Sequence, residues 1–124
     1  MFSITKIVLT VLLFHFIADF TLQGWLAQSK CKEWWLKNAP DRKYEKDYIC
    51  CLLCHGAYWS LFTYLPLIIF VVGADIKLCI ILLINTIVHA FIDDLKANWK
   101  LINLFEDQMF HAMQIAVTIS MFII

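Results

Sequence analysis

Long apolar runs separated by polar segments dominate the pattern along this chain. None of the runs shows the polar stripe that a helix needs on the surface of a soluble bundle. Backbone polar groups must be satisfied within lipid, so runs of about 20 apolar residues are expected to be helices that cross a membrane. The pattern therefore predicts four transmembrane helices, at about residues 2–23, 47–72, 75–99 and 104–124.

Composition agrees with a membrane protein of one domain. Of the 124 residues, 62% are hydrophobic and only 16% are charged, whereas about a quarter of a soluble domain is charged. The predicted fold class is all-α, an integral membrane four-helix bundle over residues 1–124. A cleaved signal peptide describes the first run less well, because His15 and Asp19 interrupt its end and no small-x-small cleavage site follows. The net charge of zero predicts no nucleic-acid partner.

The distribution of cations predicts the orientation in the membrane. Eight of the ten lysines and arginines lie in the connection of residues 24–46 and after the third helix. The positive-inside rule places both segments in the cytoplasm and both termini outside it, in a bacterial inner membrane. Residues 25–37 are expected to form part of an interfacial helix whose lysines lie in water.

Residues 51–55 have the Cys-x-x-Cys-His spacing of covalent c-type haem attachment. The predicted topology places this stretch within the second helix near the cytoplasm, on the wrong side for that chemistry. The five cysteines are odd in number and mostly lie in apolar runs, so we interpret them as small buried hydrophobic residues in a reducing compartment. A non-covalent haem between paired histidines would suit one histidine per helix but leaves the neighbouring aspartates unexplained.

Histidines and aspartates recur in a regular pattern. Each predicted helix has one histidine, and in three helices an aspartate lies four residues away, on the same helix face. In the predicted topology each of these aspartates lies one turn nearer the cytoplasm than its histidine, and in the second helix Cys51 takes the aspartate position. The candidate metal ligands are His15, Asp19, His55, His89, Asp93, Asp107 and His111.

Imidazole and carboxylate groups together are typical ligands of Zn²⁺, Mn²⁺ or Fe²⁺, and zinc is the ion we expect first. Seven ligands exceed one tetrahedral shell, so either some of them orient the others or two ions bind. Hydrogen bonding between helices is the alternative role for such pairs. Ionisable residues are costly inside a membrane and are usually functional, which favours the metal site.

The two halves of the chain resemble each other over short stretches. The stretch "FHFIADF" aligns with "VHAFIDD", and "CHGA" aligns with "FHAM". This similarity predicts two similar helical hairpins. The small residues Gly56 and Ala112, next to their histidines, would allow helices to approach closely.

Four ordered motifs support a family resemblance: "HFIADFTLQ" at 15–23, His55, "HAFIDDLK" at 89–96 and "DQMFH" at 107–111. Together they resemble the domain of unknown function 3307, a family of small integral membrane proteins from bacteria and phages, over most of the chain. Besides the histidines and aspartates, the resemblance marks Gln23, Lys96 and Gln108 as motif positions, which we expect to contact the bound group. It implies no established activity. A more distant resemblance is to predicted inner-membrane metal-dependent hydrolases.

The leading functional prediction is a metal-dependent hydrolase that acts on a membrane-accessible substrate, such as a lipid phosphate. Asp19, Asp93 and Asp107 are the candidate catalytic carboxylates, and Lys96 would bind the anionic group. A metal ion or proton transporter is the second possibility, disfavoured because the helix halves far from the cytoplasm hold few polar residues. The third is a non-enzymatic phage or bacterial membrane effector with a structural metal. The expected partners are the lipid bilayer and a lipid or small anionic substrate, and a homo-oligomer remains open.

Overall fold

A computed structural model describes residues 3–73 and 75–123 of the chain, and the described residues contain α-helices and no β-strand. Four of these helices are long and three are short. In chain order they are α1 (Ile4–Phe16), α2 (Leu26–Ser29), α3 (Lys32–Asn38), α4 (Asp47–Thr63), α5 (Leu65–Leu67), α6 (Ile76–Ala97) and α7 (Leu104–Ile123). A π-helical turn extends α1 over Ile17–Thr21 and another follows α5 over Ile68–Val72, while Arg42–Tyr44 forms a 3₁₀ turn.

Local sequence explains where the last two helices begin. The Asp75 carboxylate accepts a hydrogen bond from the Leu78 amide at 2.7 Å and so caps α6. Before α7, Asn103 and Glu106 each accept a hydrogen bond from the other's main-chain amide, at 3.0 and 2.9 Å. This reciprocal arrangement is a capping box, which satisfies amide groups that have no partner within the helix.

Two of the described segments, Ile4–Thr21 and Ile76–Ala97, are long and apolar enough to cross a membrane. A third span results if Arg42–Thr63 and Leu65–Val72, which meet at an angle of 42°, are counted together. The bend coincides with Pro66, which lacks an amide hydrogen. The helix α7 is not among these candidates. An all-helical chain with two candidate spans is therefore confirmed, and the four-helix membrane bundle stays a prediction.

The four long helices pack in a ring, because α1 and α6 each contact both α4 and α7. The helices α4 and α6 approach each other closely, since a Cβ atom added to Gly56 would lie 2.6 Å from the Thr86 carbonyl oxygen. The predicted role of Gly56 in close packing is thus confirmed. Ala112 is exposed instead, so the expectation that it also brings helices together is wrong.

Most of the apolar core lies in the far half of the ring, which is the half opposite the connection of residues 24–46. Its buried members come from three of the long helices, from the π-helical turn after α1 and from the bend between α4 and α5 with α5 itself; they are Ile7, Val11, Ala18, Trp59, Tyr64, Leu67, Ile115 and Ile119. The outer surface is also apolar and exposes side chains such as Leu9, Ile84 and Phe91. Such a surface is suited to lipid.

The connection packs against the end of α6. The Asn98 side chain accepts a hydrogen bond from the Lys32 amide at 2.6 Å and donates one to the Lys30 carbonyl at 3.0 Å. The predicted interfacial helix is in fact the two short helices α2 and α3, separated at Lys30 and Cys31. Lys30 is only 5% exposed, so the expectation that the lysines of this segment lie in water is wrong for Lys30.

Candidate metal centre

All seven predicted metal ligands lie in one buried cluster at the end of the ring that the connection covers. Each of the four long helices contributes to it, and no member is more than 2% exposed; the members are His15, Asp19, His55, His89, Asp93, Asp107 and His111. Asp19 lies in the π-helical turn that follows α1, and such turns are often found at functional sites.

A group of four within this cluster could hold a metal ion. Asp19, His89, Asp93 and His111 each offer one ligand atom, and these atoms all lie within 4.8 Å of one another. The Nε2 atom of His55 lies 3.2 Å from Nε2 of His89, 3.6 Å from Oδ1 of Asp19 and 3.4 Å from Oδ2 of Asp93. Ligand atoms around a tetrahedral zinc ion with bonds of about 2.1 Å are about 3.4 Å apart. The spacing therefore matches that of metal ligands.

His111 lies between two aspartates, Asp93 and Asp107. The Nε2 atom of His111 is 3.4 Å from Oδ1 of Asp107 and also 3.4 Å from Oδ1 of Asp93. Asp93 thus directs one oxygen towards His111 and the other towards His55.

His15 occupies a different position from the other histidines, because both of its ring nitrogens are hydrogen-bonded. Trp59 donates to Nδ1 at 2.9 Å, which leaves the proton on Nε2 to be donated to the Gln108 carbonyl oxygen at 3.1 Å. The Gln108 amide nitrogen in turn donates to Oδ2 of Asp19 at 2.7 Å and to Oδ2 of Asp107 at 3.0 Å. His15 and Gln108 therefore orient the two carboxylates.

Two lysines pair with the carboxylates of the cluster. The Lys30 ammonium group lies 2.6 Å from Oδ2 of Asp93, and that of Lys96 lies 2.6 Å from Oδ2 of Asp107. Lys96 is also 4.0 Å from Oδ1 of Asp93. Lys96 was marked by the sequence, but Lys30 was missed, because nothing in its spacing distinguishes it from the other cations of the connection.

Trp59 is a second residue that sequence reasoning missed. Its ring stacks on that of His89, with centroids 4.0 Å apart and an angle of 15° between the planes. The Nδ1 atoms of His55, His89 and His111 have no hydrogen-bond partner in the described part of the chain, so packing contacts such as this one hold the rings. Trp59 follows His55 by four residues, and this helical spacing could have identified it.

The donor set fits a divalent metal ion. Several buried ligand atoms have no hydrogen-bond partner among the described residues; they include Oδ1 of Asp19, of Asp93 and of Asp107, and Nε2 of His111. Leaving a buried polar atom without a partner costs about 1–3 kcal/mol. A divalent cation would satisfy these atoms and offset the carboxylate charges, and the mixture of nitrogen and oxygen ligands suits Zn²⁺, Mn²⁺ or Fe²⁺.

The remaining predicted positions lie at the margin. The Gln23 side chain donates to the main-chain carbonyl of Asp19, which supports the π-helical turn. Cys51 is buried but Cys54 is exposed. The expectation that the cysteines are buried holds for Cys51 and is wrong for Cys50, Cys54 and Cys79, which are exposed.

A second polar network lies in the far half of the ring. The side-chain oxygen of Asn85 accepts hydrogen bonds from Tyr64 at 2.9 Å, from Gln114 at 2.8 Å and from Thr118 at 3.2 Å. Asn85 and Thr118 are both 4% exposed. The expectation that the far helix halves hold few polar residues is therefore wrong for this half of the protein.

Comparison with protein-family models, curated proteins and solved structures gives no match to this chain. The resemblance to the domain of unknown function 3307 stays a prediction that rests on the motifs.

Proposed function

We propose that this chain is an integral membrane metal-dependent hydrolase whose centre is the buried histidine–aspartate cluster. One observation carries the proposal: imidazole and carboxylate atoms of separate helices meet at ligand spacing in the buried interior, and several of them, including an oxygen of each aspartate, have no hydrogen-bond partner in the described residues. Ionisable groups at such a depth are costly and are usually retained for function. A bound divalent ion supplies Lewis-acid chemistry and makes water acidic enough to give a nucleophile near neutral pH.

Individual residues of the cluster would bind the ion, position its ligands and accept a proton from water. His55, His89 and Asp93 bind the ion, and Gln108 holds the carboxylate of Asp19 in position by its hydrogen bond. Each of the three aspartates has one oxygen engaged by a donor and one oxygen free. A free carboxylate oxygen beside the ion can accept the proton that water loses, which is the role of a general base.

Lys96 is placed to bind an anionic substrate group. Its side chain is 25% exposed, whereas that of Asp107, with which it pairs, is completely buried. The ammonium group therefore lies between the cluster and its surroundings. A metal bound to the free Oδ1 of Asp107 would weaken the attraction of this carboxylate for Lys96, and the ammonium could then pair with a phosphate group.

Lipid could reach the cluster from the side. An apolar groove of about 360 Å³ lies between α6 and α7. Its lining includes Val88, which precedes His89 in the sequence, and Met113, which lies close to His111 in the sequence. The tail of a lipid could occupy this groove while its head group approaches the ion.

Under the proposed orientation the centre lies in the cytoplasmic half of a bacterial inner membrane. We also propose that the chain belongs to the domain of unknown function 3307 family and is encoded by a bacterium or a phage.

The metal is tested by elemental analysis of the protein purified in detergent. We expect at least one divalent ion per chain, and at least ~10-fold lower affinity in His89→Ala and Asp93→Asn, because each change removes a ligand. Asp94→Asn is the control, since Asp94 bonds to Asn98 and Trp99. Absence of metal after incubation with Zn²⁺ or Mn²⁺ would contradict the proposal.

The hydrolase activity is tested with phosphatidic acid in mixed micelles. Phosphate release should require the metal, stop with a chelator, and fall in Lys96→Met more than in Asp94→Asn. If metal binds but phosphatidic acid and other phosphate esters are not hydrolysed, the hydrolase proposal is wrong, and the candidates left are transport and a non-enzymatic membrane effector with a structural metal.

The network around Asn85 favours metal ion or proton transport as a second candidate function. It places buried polar side chains beyond the histidines, as a pathway across the membrane requires. Proteoliposomes loaded with a Zn²⁺- or pH-sensitive dye would show flux that Asn85→Leu abolishes. Thr86→Val, on the same helix, is the control, since its hydroxyl bonds only to the Leu82 carbonyl within its own helix.

A further inference from the structure

We propose that the cluster binds two divalent ions and that the carboxylate of Asp93 bridges them. This inference rests on the metal binding in the proposed function and is independent of the reaction. It starts from the two oxygens of Asp93, which face different sets of ligands. Oδ2, which also pairs with Lys30 at 2.6 Å, lies 3.4 Å from His55 and 3.9 Å from His89, whereas Oδ1 lies 3.4 Å from His111.

The first ion position lies among His55, His89, Asp19 and Asp93. Five separations between their ligand atoms are 3.2, 3.4, 3.6, 3.9 and 4.0 Å. These values are close to the separation of about 3.4 Å expected around a tetrahedral ion. Two imidazoles and two carboxylates complete one four-coordinate shell.

The second ion position lies among His111, Asp107 and Asp93. Nε2 of His111 is 3.4 Å from an oxygen of each aspartate. All three residues are completely buried, and the three atoms Oδ1 of Asp93, Oδ1 of Asp107 and Nε2 of His111 lack hydrogen-bond partners in the described residues. Three protein ligands with an open position are typical of a catalytic ion.

The hydrogen bonds of Gln108 support the division into two positions. Its amide group holds Oδ2 of Asp19 and Oδ2 of Asp107 together, since it donates to both. The Oδ1 atom of each aspartate is left free, that of Asp19 near His55 and that of Asp107 near His111. One side chain thus orients a ligand of each ion.

The charges point to an anionic ligand between the ions. Two divalent ions together with Lys30 and Lys96 exceed the charge of three carboxylates, and an excess of positive charge inside a membrane protein needs a counter-ion. A phosphate group would bridge the ions and meet the ammonium of Lys96. Pairs of metal ions about 3.5–4 Å apart commonly bind phosphoryl groups in this way.

The first test counts Mn²⁺ ions per chain by equilibrium dialysis of the detergent-purified protein. We expect two in the wild type and in Asp94→Asn, but one in His111→Ala and in Asp107→Asn. His111→Gln, which keeps a larger polar side chain at this position, should also bind one ion and serves as the test if the alanine variant fails to fold. One ion at saturation in the wild type would overturn this inference alone, whereas no ion would overturn the proposed function as well.

The second test uses electron paramagnetic resonance of the protein loaded with Mn²⁺. Ions that share a bridging carboxylate should give the spectrum of an exchange-coupled pair, and His111→Ala should give that of an isolated ion. A wild-type spectrum of uncoupled ions at a stoichiometry of two would show separate sites and overturn the bridge. Addition of inorganic phosphate should alter the coupled spectrum of the wild type and leave that of His111→Ala nearly unchanged, whereas an unaltered wild-type spectrum would overturn the shared anion site.

Discussion

At Gln108 a single amide group determines which oxygen of two carboxylates is free to bind a metal. It donates to Asp19 and Asp107 and accepts from His15, whose other nitrogen accepts from Trp59. The ligands therefore depend on a chain of donors and acceptors that extends through three helices. Residues that orient ligands in this way can affect metal affinity almost as much as the ligands do.

Gln108→Met tests this chain of hydrogen bonds. The substitution keeps a side chain of similar length but removes both donor and acceptor, so we expect metal affinity to fall ~10–100-fold, as measured by titration with a competing chelator. Gln114→Met is the matched control on α7, because Gln114 bonds to Asn85 and not to the aspartates. Equal affinity in the two variants would show that Gln108 does not orient the ligands.

The cysteines next to His55 are expected to be dispensable. Cys51 packs in the interior and Cys54 is exposed, so the double variant Cys51→Ala with Cys54→Ala should keep its metal content and show no change in visible absorption. His55→Ala should lower the metal content. Loss of metal, or of a haem absorption band, in the double cysteine variant would show that the thiols are part of a site.

At the scale of the helices, the contact of α4 with α6 sets the position of two ligands. These helices carry His55 and His89, whose Nε2 atoms are 3.2 Å apart. Gly56 makes that distance possible, because the main chain of α6 passes where a Cβ atom would be. The helix packing and the site geometry therefore share one cause.

Gly56→Ala should separate α4 from α6. The added methyl group would lie 2.6 Å from the Thr86 carbonyl oxygen, and overpacking of this kind costs about 1–3 kcal/mol. We expect a lower thermal stability in detergent and a lower metal affinity. Cys54→Ala, on the exposed face of the same helix, should change neither, and full stability of Gly56→Ala would contradict the close contact.

The connection is also held by an exposed ion pair, which gives it a dependence on pH. Lys100 lies 2.7 Å from Glu33 and lowers the pKa of Glu33 by hydrogen bonding, while Glu33 raises the pKa of Lys100. A carboxyl group whose pKa is lowered in the folded protein stabilises the fold at pH values above its ordinary pKa. This stabilisation is lost as the pH falls through the lowered pKa. Lys100→Ala should therefore raise the pKa of Glu33 in an NMR titration, and Lys43→Ala should not.

At the scale of the whole molecule, the predicted orientation depends on cations, two of which also form ion pairs inside the protein. Of the eight cations on the predicted cytoplasmic side, Lys30 and Lys96 pair with aspartates in the cluster. The other six still outnumber the two on the opposite side, so the positive-inside rule gives the same orientation.

Reporter fusions test this orientation. A reporter active only in the cytoplasm should be active when inserted within residues 38–46 and inactive at either terminus. A reporter active only outside the cytoplasm, fused at the same positions, serves as the reciprocal control. Activity of the cytoplasmic reporter at both termini would move the metal centre to the other half of the membrane.

Periodicity and spacing along the chain determine the helices of this protein and the interior position of its histidines. Apolar runs of sufficient length predict helices because backbone groups in lipid have no other partners. The helices α6 and α7, and α1 together with its π-helical turn, begin and end close to the predicted limits, whereas the second predicted helix is bent near Pro66. The spacing of four between histidine and aspartate likewise placed both side chains of each pair in the interior.

Only the tertiary structure decided which atoms meet. Spacing along one helix cannot show that Lys30 enters the cluster from a connection 63 residues away from Asp93, or that Gln108 contacts Asp19 across the ring. Nor can it distinguish His15, which is hydrogen-bonded on both nitrogens, from His111, whose Nε2 is free of hydrogen bonds in the described residues. The physical reason is that a ligand set depends on distances between helices, and these depend on how side chains such as Trp59 and Gly56 pack.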